Sequence, residues 1–250
     1  MQQTDFRRYS RQSILPEIGV HGQAVLRDSA ALVIGCGGLG CAAAPYLAGA
    51  GVGRLVLVDD DVIEASNLQR QLLFRTADVG QPKAQVAAAA LRALNPEVEV
   101  EVHVARFTAE DIERRARDVD VVLDCSDNFT TRYAVNAACV HARTPLVSGA
   151  AIRFEGQLAV FDLRRGGPCY ACLYPPTGDF SGERCEDAGI LGPVVGTIGV
   201  LQALEALKLL LGLGTASGTL RAWNALSGTW RMVRMKAPDP GCTVCRTSVK

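Results

Sequence analysis

The stretch Ala30-Ala-Leu-Val-Ile-Gly-Cys-Gly-Gly-Leu-Gly40 decides the fold of this chain. It starts as a short apolar strand and runs into glycines at 35, 37, 38 and 40, which open an apolar helix predicted over 39–50. Gly35, Gly37 and Gly40 satisfy the spacing G-x-G-x-x-G, in which glycine lets the backbone approach a phosphate and the helix amides stabilise its charge. The stretch therefore predicts a nucleotide site at the end of a buried strand.

Outward from this loop, strand-like and helix-like stretches alternate along the chain. The pattern predicts an α/β fold with a Rossmann-like, mainly parallel sheet and helices on both faces. After Gly149 it changes to antiparallel strands and one long apolar helix. The predicted strands lie at 30–34, 54–59, 98–104, 119–124, 145–148, 156–162 and within 220–235, and the predicted helices lie within 1–29 and at 39–50, 82–94, 130–142 and 192–213.

Composition and charge exclude several classes of function. Lys and Arg together number 26, as do Asp and Glu, so no nucleic acid or membrane surface is expected as a general partner. The apolar segment 192–213 carries Glu205 and Lys208 three residues apart, where they can pair on one helix face, so we expect a buried helix and no membrane span. Nine cysteines without an export signal indicate a reducing compartment, and we expect the cytoplasm.

Polar residues beyond the glycine loop distinguish between nucleotides. Asp59 ends the second predicted strand, where it can hold ribose hydroxyls, and this alone fits NAD as well as ATP. Arg70 and Lys83 add cations, and Asp127 adds a carboxylate at another strand end. Adenylyl transfer needs such cations for the developing charge on the phosphates, and a carboxylate can hold Mg²⁺. The set therefore favours ATP chemistry.

Alternatives remain for each of these residues. A surface Arg or Lys is usually solvated, and an Asp at a strand end is often a helix cap. A second class of function is an NAD-dependent Rossmann oxidoreductase, and a third is a non-catalytic scaffold with a vestigial nucleotide site. In the oxidoreductase the cations would have no purpose.

Two C-x-x-C pairs, Cys169-Tyr-Ala-Cys172 and Cys242-Thr-Val-Cys245, predict a metal site. Four thiolates suit a tetrahedral structural Zn²⁺, which would tie the tail of the chain to an earlier loop. The spacer between the pairs is longer than in a compact zinc ribbon. A redox dithiol and plain buried cysteines therefore remain alternatives.

The motifs together resemble the ThiF/MoeB/HesA family of bacterial E1-like sulfur-carrier adenylyltransferases. The resemblance covers almost the whole chain and leaves no catalytic motif of the family missing. The motifs are Arg8-Tyr-Ser-Arg-Gln12, the glycine loop, Ser66-Asn-Leu-Gln-Arg-Gln71, Gln81-Pro-Lys83, Asp124-Cys-Ser-Asp-Asn128, Pro145-Leu-Val-Ser-Gly-Ala150 and Cys242-Thr-Val-Cys245.

This resemblance implies a role for each matching residue. Asp59 matches the ribose-binding acid, and Asp127 matches the metal-binding catalytic acid. Arg11 matches an arginine that reaches into the partner's site of a homodimer, and Cys185 matches a cysteine that takes up the carrier or a persulfide sulfur. Nucleotide-binding roles follow for Gly35, Gly37, Gly38, Gly40, Asp59, Asp61, Asn67, Arg70, Lys83, Asp127 and Asn128, catalytic roles for Arg11, Arg70, Lys83, Asp127 and Cys185, and zinc binding for Cys169, Cys172, Cys242 and Cys245.

The implied reaction is attack of a carrier's terminal Gly-Gly carboxylate on the α-phosphate of ATP, in preparation for thiocarboxylate formation. The implied cofactors are ATP, Mg²⁺ and structural Zn²⁺, and the implied partners are a ubiquitin-like sulfur carrier and a sulfur donor. We expect the thiazole carrier of thiamine synthesis, with the molybdopterin carrier as the alternative. One domain over 1–250 would comprise an N-terminal arm (1–29), a nucleotide-binding core (30–149) and a carrier- and zinc-binding part (150–250).

Overall fold

One mixed sheet runs through the computed structural model, which describes residues 7–176, 188–214 and 217–246. Its eight strands have the order β3-β2-β1-β4-β5-β6-β7-β8. The strands are β1 (Ala30–Ile34), β2 (Arg54–Val58), β3 (Glu99–His103), β4 (Val121–Asp124), β5 (Leu146–Ile152), β6 (Glu155–Phe161), β7 (Thr219–Asn224) and β8 (Thr229–Arg234).

The pairing of the strands changes at β5. From β3 to β5 every neighbouring pair is parallel, and from β5 to β8 every pair is antiparallel. The predicted α/β fold with a mainly parallel core and an antiparallel extension is therefore confirmed. Between β5 and β6 the chain turns at Arg153 and Phe154, which allows the antiparallel hairpin directly after the last parallel strand.

Helices cover both faces of the sheet, as predicted. The helices are α1 (Ser10–Ser13), α2 (Gly19–Asp28), α3 (Gly38–Ala50), α4 (Lys83–Leu94), α5 (Ala109–Ala116), α6 (Phe129–Ala142), α7 (Tyr170–Leu173) and α8 (Gly192–Leu210).

Central strand β1 shows how one apolar run supports two cores. All five of its residues are buried. Ala31 and Val33 belong to a cluster that includes residues of α3, α4 and α8, whereas Leu32 and Ile34 belong to a cluster that includes residues of α5 and α6. A parallel strand that is covered on both faces needs this continuous apolar sequence, because successive side chains point to opposite faces.

The helix α5 is absent from the sequence-based prediction, which left 105–118 without an element. Thr108 caps it by accepting from the backbone amide of Asp111, and the Asp111 side chain accepts from the amide of Thr108. This reciprocal cap is the sequence signature Thr-x-x-Asp, so the information was present in the chain. A helix of eight residues gives too short a periodic pattern to stand out without it.

By length and composition alone, helix α8 is long and apolar enough to span a membrane. Half of the 18-residue stretch that meets this criterion is buried within the protein. Its Glu205 is 1% exposed and accepts from Lys208 Nζ and Arg221 Nη1, each at 2.9 Å. The predicted pairing of Glu205 with Lys208 is therefore confirmed, and Arg221 of β7 extends it. A buried carboxylate with two cationic partners ties this helix to the sheet.

Candidate functional site

The carboxyl ends of β1, β2 and β4 surround a cavity of about 380 Å³. In an open parallel sheet this edge is where ligands bind, at the point where the strand order reverses. Here the reversal lies between β1 and β4, since β1 and β2 lead outward on one side and β4 and β5 on the other. The cavity lining includes, from the predicted site, Gly35, Gly37, Gly38, Asp59, Asp61, Asn67, Arg70, Lys83, Asp127 and Asn128.

In the glycine loop between β1 and α3, packing leaves no space for a side chain at Gly35 and Gly40, but it leaves space at Gly37. Gly35 has a φ of 95°, and a Cβ there would lie 2.7 Å from the carbonyl oxygen of Cys125. A Cβ on Gly40 would overlap the carbonyl oxygen of Gly35. At Gly37 a Cβ would meet only the Gln71 Nε2 atom, at 3.8 Å. The protein itself therefore requires glycine at 35 and 40, whereas at 37 it leaves room beside the helix start.

Asp59 at the end of β2 accepts two backbone hydrogen bonds. Its Oδ2 receives the amide of Cys36 at 2.6 Å, and its Oδ1 receives the amide of Asp61 at 2.8 Å. Burial raises the pKa of the Asp59 carboxyl, while these two amides and the charge of Lys83 act in the opposite direction. The carboxylate is thereby fixed next to the glycine loop, with its orientation set before any ligand arrives.

Lys83 is the first residue of α4 and reaches back to the cavity. Its ammonium lies 2.7 Å from Asp61 Oδ2, and its backbone amide donates to the carbonyl of Asp61 at 3.0 Å. Lys83 is 7% exposed, whereas the Asp61 side chain is 60% exposed. A nearly buried cation whose salt-bridge partner is solvated can turn to an anionic ligand without leaving a buried carboxylate unpaired.

Asn67 and Arg70 come from the turn that follows Asp61. Asn67 accepts the amide of Glu64 at 3.1 Å through Oδ1, which closes a short 3₁₀ turn over Ala65–Asn67. Arg70 donates from Nη1 to the carbonyl of Ser66 at 3.0 Å. Both side chains line the cavity, so the turn holds an amide and a guanidinium next to the glycine loop.

Asp127 and Asn128 lie on the loop between β4 and α6. Asn128 caps α6 by accepting from the amide of Thr131 at 2.9 Å, and both side chains are exposed on the cavity wall. The Asn128 oxygen serves the helix, and its Nδ2 donates to Asp127 Oδ1 at 3.4 Å. The exposed carboxylate of Asp127 keeps further lone pairs for a ligand or a cation.

Arg132 supports the backbone of this loop through buried hydrogen bonds, and no role was predicted for it from the sequence. It is 7% exposed and donates to the Gly149 carbonyl at 2.8 Å and to the Ser126 carbonyl at 2.5 Å. It also lies 3.5 Å from Asp124 Oδ2. These contacts join the ends of β4 and β5, and they fix the backbone immediately before Asp127.

Arg106, Phe107 and Gln71 also line the cavity, although none of them has a site role predicted from the sequence. Arg106 and Phe107 follow β3, and Arg106 forms an ion pair with Asp60 at 3.2 Å. Gln71 lines the cavity next to Arg70 and is 3% exposed. The position after β3 could have been foreseen, because a third parallel strand ends at the same edge of the sheet.

Arg11 does not line the cavity of its own chain. Its short helix is attached at the other end of α3, where Gln12 Nε2 donates to the Ala50 carbonyl at 2.8 Å. Helix α3 has 13 residues, so roughly 20 Å of helix separates this attachment from the glycine loop. Arg11 is exposed there.

The four cysteines of the two C-x-x-C pairs come together on the opposite face of the sheet from α3. Their Sγ atoms all lie within 4.8 Å of one another, with 3.4 Å between Cys172 and Cys245 and 3.8 Å between Cys169 and Cys242. Tetrahedral Zn–S bonds of about 2.3 Å place sulfur atoms roughly 3.8 Å apart, so the donor set fits Zn²⁺. Asn136 of α6 supports the cluster, since its Nδ2 lies 3.5 Å from Cys169 Sγ.

The remaining cysteines differ in setting. Cys36, Cys41, Cys125 and Cys139 are buried and free, as expected for apolar packing residues. Burial raises the pKa of the Cys41 thiol to about 12. Cys185 lies outside the described residues, so its predicted role stays a prediction.

Comparisons with known proteins place the whole chain in one group of sequences. The model of the ThiF family matches residues 9–244. The sulfur carrier protein ThiS adenylyltransferase of Escherichia coli is 48% identical over 98% of this chain and 97% of its own length. The adenylyltransferase and sulfurtransferase MOCS3 of Bos taurus is 52% identical over 96% of this chain and 53% of its own length. The chain thus spans about half the length of the MOCS3 relatives.

Solved structures agree on the fold. The crystal structure of Escherichia coli MccB with a MccA peptide variant superposes with a TM-score of 0.82 at 24% identity, over 95% of this chain and 74% of that one. PaaA gives a TM-score of 0.79 at 22% identity, over 94% of this chain and 74% of that one. At these identities the likeness concerns the fold alone.

Proposed function

The chain belongs to the ThiF family, and from that premise we propose that it uses ATP to adenylate the C-terminal Gly-Gly carboxylate of a ubiquitin-like sulfur-carrier protein. The observation that carries the proposal is the gathering of Asp59, Arg70, Lys83 and Asp127 around one cavity beside the glycine loop. Two cations and two carboxylates that line one cavity with the glycine-rich start of α3 suit phosphoryl chemistry.

Binding of ATP follows from the fixed groups. The amides at the start of α3 stabilise the phosphates, and Asp59 accepts from ribose hydroxyls with its remaining lone pairs. Phe107, which lines the cavity beyond β3, supplies apolar surface for the adenine ring. The nucleotide would therefore lie along the carboxyl edge of β1 and β2.

The proposed reaction is an in-line attack of the carrier's carboxylate oxygen on the α-phosphorus of ATP. The new bond is the acyl–phosphate bond, and the bond that breaks joins the α-phosphorus to the bridging oxygen, which leaves with pyrophosphate. Lys83, Arg70 and the Asn67 amide stabilise the charge that builds on the leaving phosphates. Because Lys83 is already held by Asp61, binding exchanges one anionic partner for another.

Asp127 is proposed to hold Mg²⁺, which would neutralise the phosphate oxygens when bound. The exposed carboxylate and its support by Arg132 favour this role. Carboxylate oxygen is a ligand that Mg²⁺ prefers.

A homodimer is proposed because Arg11 sits at the far end of α3 from its own cavity. At that distance Arg11 can reach an ATP site only if the site belongs to another copy of the chain. The proposal agrees with the role that the family resemblance implies for this residue.

Zinc is proposed for the four-cysteine cluster, where it would stabilise the fold by joining the tail at Cys242 and Cys245 to α7. Cys185 is proposed to accept the activated carrier or a sulfur atom from a sulfur donor during thiocarboxylate formation. We also propose a cytoplasmic location, in keeping with eight free cysteines among the described residues.

The thiazole carrier of thiamine synthesis is the first candidate substrate, since the name of the Escherichia coli relative specifies the sulfur carrier ThiS. The molybdopterin carrier is the second candidate, since the stretch Ser148-Gly-Ala-Ala-Ile-Arg-Phe-Glu-Gly156 resembles the molybdopterin branch of the family. The ATP site is equally suited to both, because both carriers would present the same Gly-Gly carboxylate.

Carrier-dependent exchange of pyrophosphate into ATP tests the proposal, with thiazole-type and molybdopterin-type carriers side by side. We expect exchange with at least one carrier, its loss in Lys83→Ala and Asp127→Ala, and wild-type exchange in Arg117→Ala, a change at an exposed cation outside the cavity lining. Exchange with neither carrier, together with binding of NAD, would overturn adenylation in favour of an oxidoreductase.

A further inference from the structure

Asn136 of α6 connects the four-cysteine cluster to the helix that follows the Asp127 loop. The residue is 0% exposed. Its Nδ2 lies 3.5 Å from Cys169 Sγ, and its Oδ1 accepts from the backbone amide of Tyr170 at 2.8 Å. Both ends of one buried carboxamide therefore contact the first of the two C-x-x-C pairs.

The orientation of this carboxamide follows from what each of its neighbours can do. A backbone amide only donates, so the amide of Tyr170 must face the carbonyl oxygen of Asn136. The NH₂ group is then left facing Cys169 Sγ, and it needs an acceptor because the residue is fully buried. A metal-bound thiolate accepts more strongly than a neutral thiol, so this donor suits a cluster that holds a metal ion.

The contact with Tyr170 gives α7 a cap that the residue before the helix does not supply. The first amides of a helix have no partner within it, and the side chain of the preceding residue often accepts there. That residue is Cys169, whose side chain forms no capping hydrogen bond. Asn136 accepts in its place from another helix, which leaves Cys169 Sγ to the cluster and fixes the turn that carries both cysteines of the pair.

We propose that Asn136 is a positioning residue of the four-cysteine cluster, which orients Cys169 for Zn²⁺ through its Nδ2 donor and holds α7 through its Oδ1 acceptor. This inference rests on the zinc proposed above. Four thiolates carry more negative charge than one Zn²⁺ neutralises, and all four cysteines are buried, so donors to sulfur offset part of that charge. The backbone amide of Asp239 makes the same kind of contact with Cys172 Sγ, at 3.4 Å.

A buried asparagine that serves packing alone makes different predictions, and Asn95 is the matched control. It is also 0% exposed, and its Nδ2 donates to Tyr9 Oη and to the Ala48 carbonyl of α3, each at 2.7 Å. Asn95→Leu and Asn136→Leu both leave buried partners without a hydrogen bond, so both should lower the Tm. Only Asn136→Leu should change the metal site.

The test compares the two variants with the wild type as full-length proteins purified without chelator. Zinc affinity is obtained by competition with a chromophoric chelator well below each Tm, and absorption spectra are recorded after substitution by Co²⁺. We expect the zinc affinity of Asn136→Leu to fall about ten- to hundredfold, the usual effect of removing such a supporting contact. Its thiolate-to-cobalt band should shift to longer wavelength, because the sulfur atom loses a donor that stabilises its lone pairs.

Asn95→Leu should match the wild type in zinc affinity and cobalt spectrum. Wild-type values of both in Asn136→Leu, or equal losses in the two variants, would overturn the assignment. If Asn136→Leu does not fold, ¹⁵N NMR of the wild type replaces it: exchange of Zn²⁺ for Cd²⁺ should shift the side-chain amide of Asn136 and leave that of Asn95 in place. An Asn136 amide that does not shift would overturn the assignment. A wild type that binds neither zinc nor cobalt would instead refute the proposed zinc site.

Discussion

Replacing Gly37 and Gly40 by alanine, one at a time, separates what the fold requires of the glycine loop from what the nucleotide requires. The two glycines lie three residues apart at the start of one helix and receive the same added methyl group. At Gly40 this methyl group overlaps the backbone carbonyl of Gly35, whereas at Gly37 it enters the open slot beside Gln71. The two variants should therefore fail in different ways.

The expected losses of stability follow from these contacts. Overpacking costs about 1–3 kcal/mol, and the upper end applies at Gly40 because the clash is with backbone that cannot rotate away. Gly35, which carries that carbonyl, is itself confined at a φ of 95° against Cys125. Alanine within a helix returns about 1 kcal/mol, which leaves a net loss of about 2 kcal/mol and a Tm lower by roughly 4–8 °C in a chain of this size.

For Gly37→Ala we expect the free energy of unfolding to stay within about 0.5 kcal/mol of the wild type, since alanine is less favourable than glycine at a helix N-cap but restricts the unfolded chain. Its ATP affinity should fall about tenfold or more, because the methyl group occupies the place where phosphate meets the helix amides. Thermal unfolding without ligand and equilibrium titration with ATP measure both quantities on the same samples.

The reasoning is refuted if Gly37→Ala loses as much stability as Gly40→Ala, because the slot would then be needed by the fold. It is refuted equally if Gly37→Ala binds ATP as the wild type does. Weak binding in Gly40→Ala contradicts nothing, since distortion of the loop at Gly35 would move the same amides.

Three further predictions concern other parts of the molecule. Arg11→Ala and Lys83→Ala should each abolish pyrophosphate exchange. An equimolar mixture of the two variants, after subunit exchange, should recover about a quarter of wild-type activity, because half of the dimers are mixed and each mixed dimer has one intact site. No recovery would exclude an Arg11 that acts across subunits. Cys169→Ser should lower both bound zinc, measured by elemental analysis, and Tm, whereas a zinc-free wild type of unchanged Tm would contradict a structural metal. Burial raises the pKa of the Cys41 thiol to about 12, so this thiol should stay protonated and resist iodoacetamide at pH 8 until the protein unfolds. Mass spectrometry measures the alkylation, and alkylation of Cys41 in the folded protein at this pH would contradict its burial.

The nucleotide-binding half of the fold could be predicted from the sequence because its signals are local. Strand β1 was predicted at the observed bounds of Ala30–Ile34, since an apolar run followed by glycines leaves few alternatives. Asp59 and Asp127 were assigned to one site because strands of a parallel sheet bring their carboxyl ends to one edge. Lys83 was added as a cation of the motif Gln81-Pro-Lys83, and all three residues line one cavity.

The supporting residues could not be predicted, because their roles depend on contacts between distant segments. Arg132 reads in the sequence as an ordinary helical arginine, and only the folded chain shows that its guanidinium joins Ser126 to Gly149. Gln71 is likewise the last residue of the motif Ser66–Gln71, but the missing hydrogen-bond partner of its buried Oε1 atom is apparent only in the folded chain. The distance of Arg11 from its own cavity is also set by the length of α3 and its attachment at Ala50.

The packing of α8 has a consequence for how the chain acquires its structure during synthesis. Residues of α8 such as Ile198 and Ala206 share one core with Leu39 and Leu47 of α3, which were translated about 150 residues earlier. Gln202 of α8 also donates to the Asp124 carbonyl at 2.8 Å, directly below the loop that carries Asp127. A nascent chain that ends before α8 would expose the apolar side of α3 to solvent and leave the Asp127 loop without this support. The glycine loop leaves the ribosome early but becomes competent only after α8 has been made, and chaperones that protect apolar surface can act in that interval.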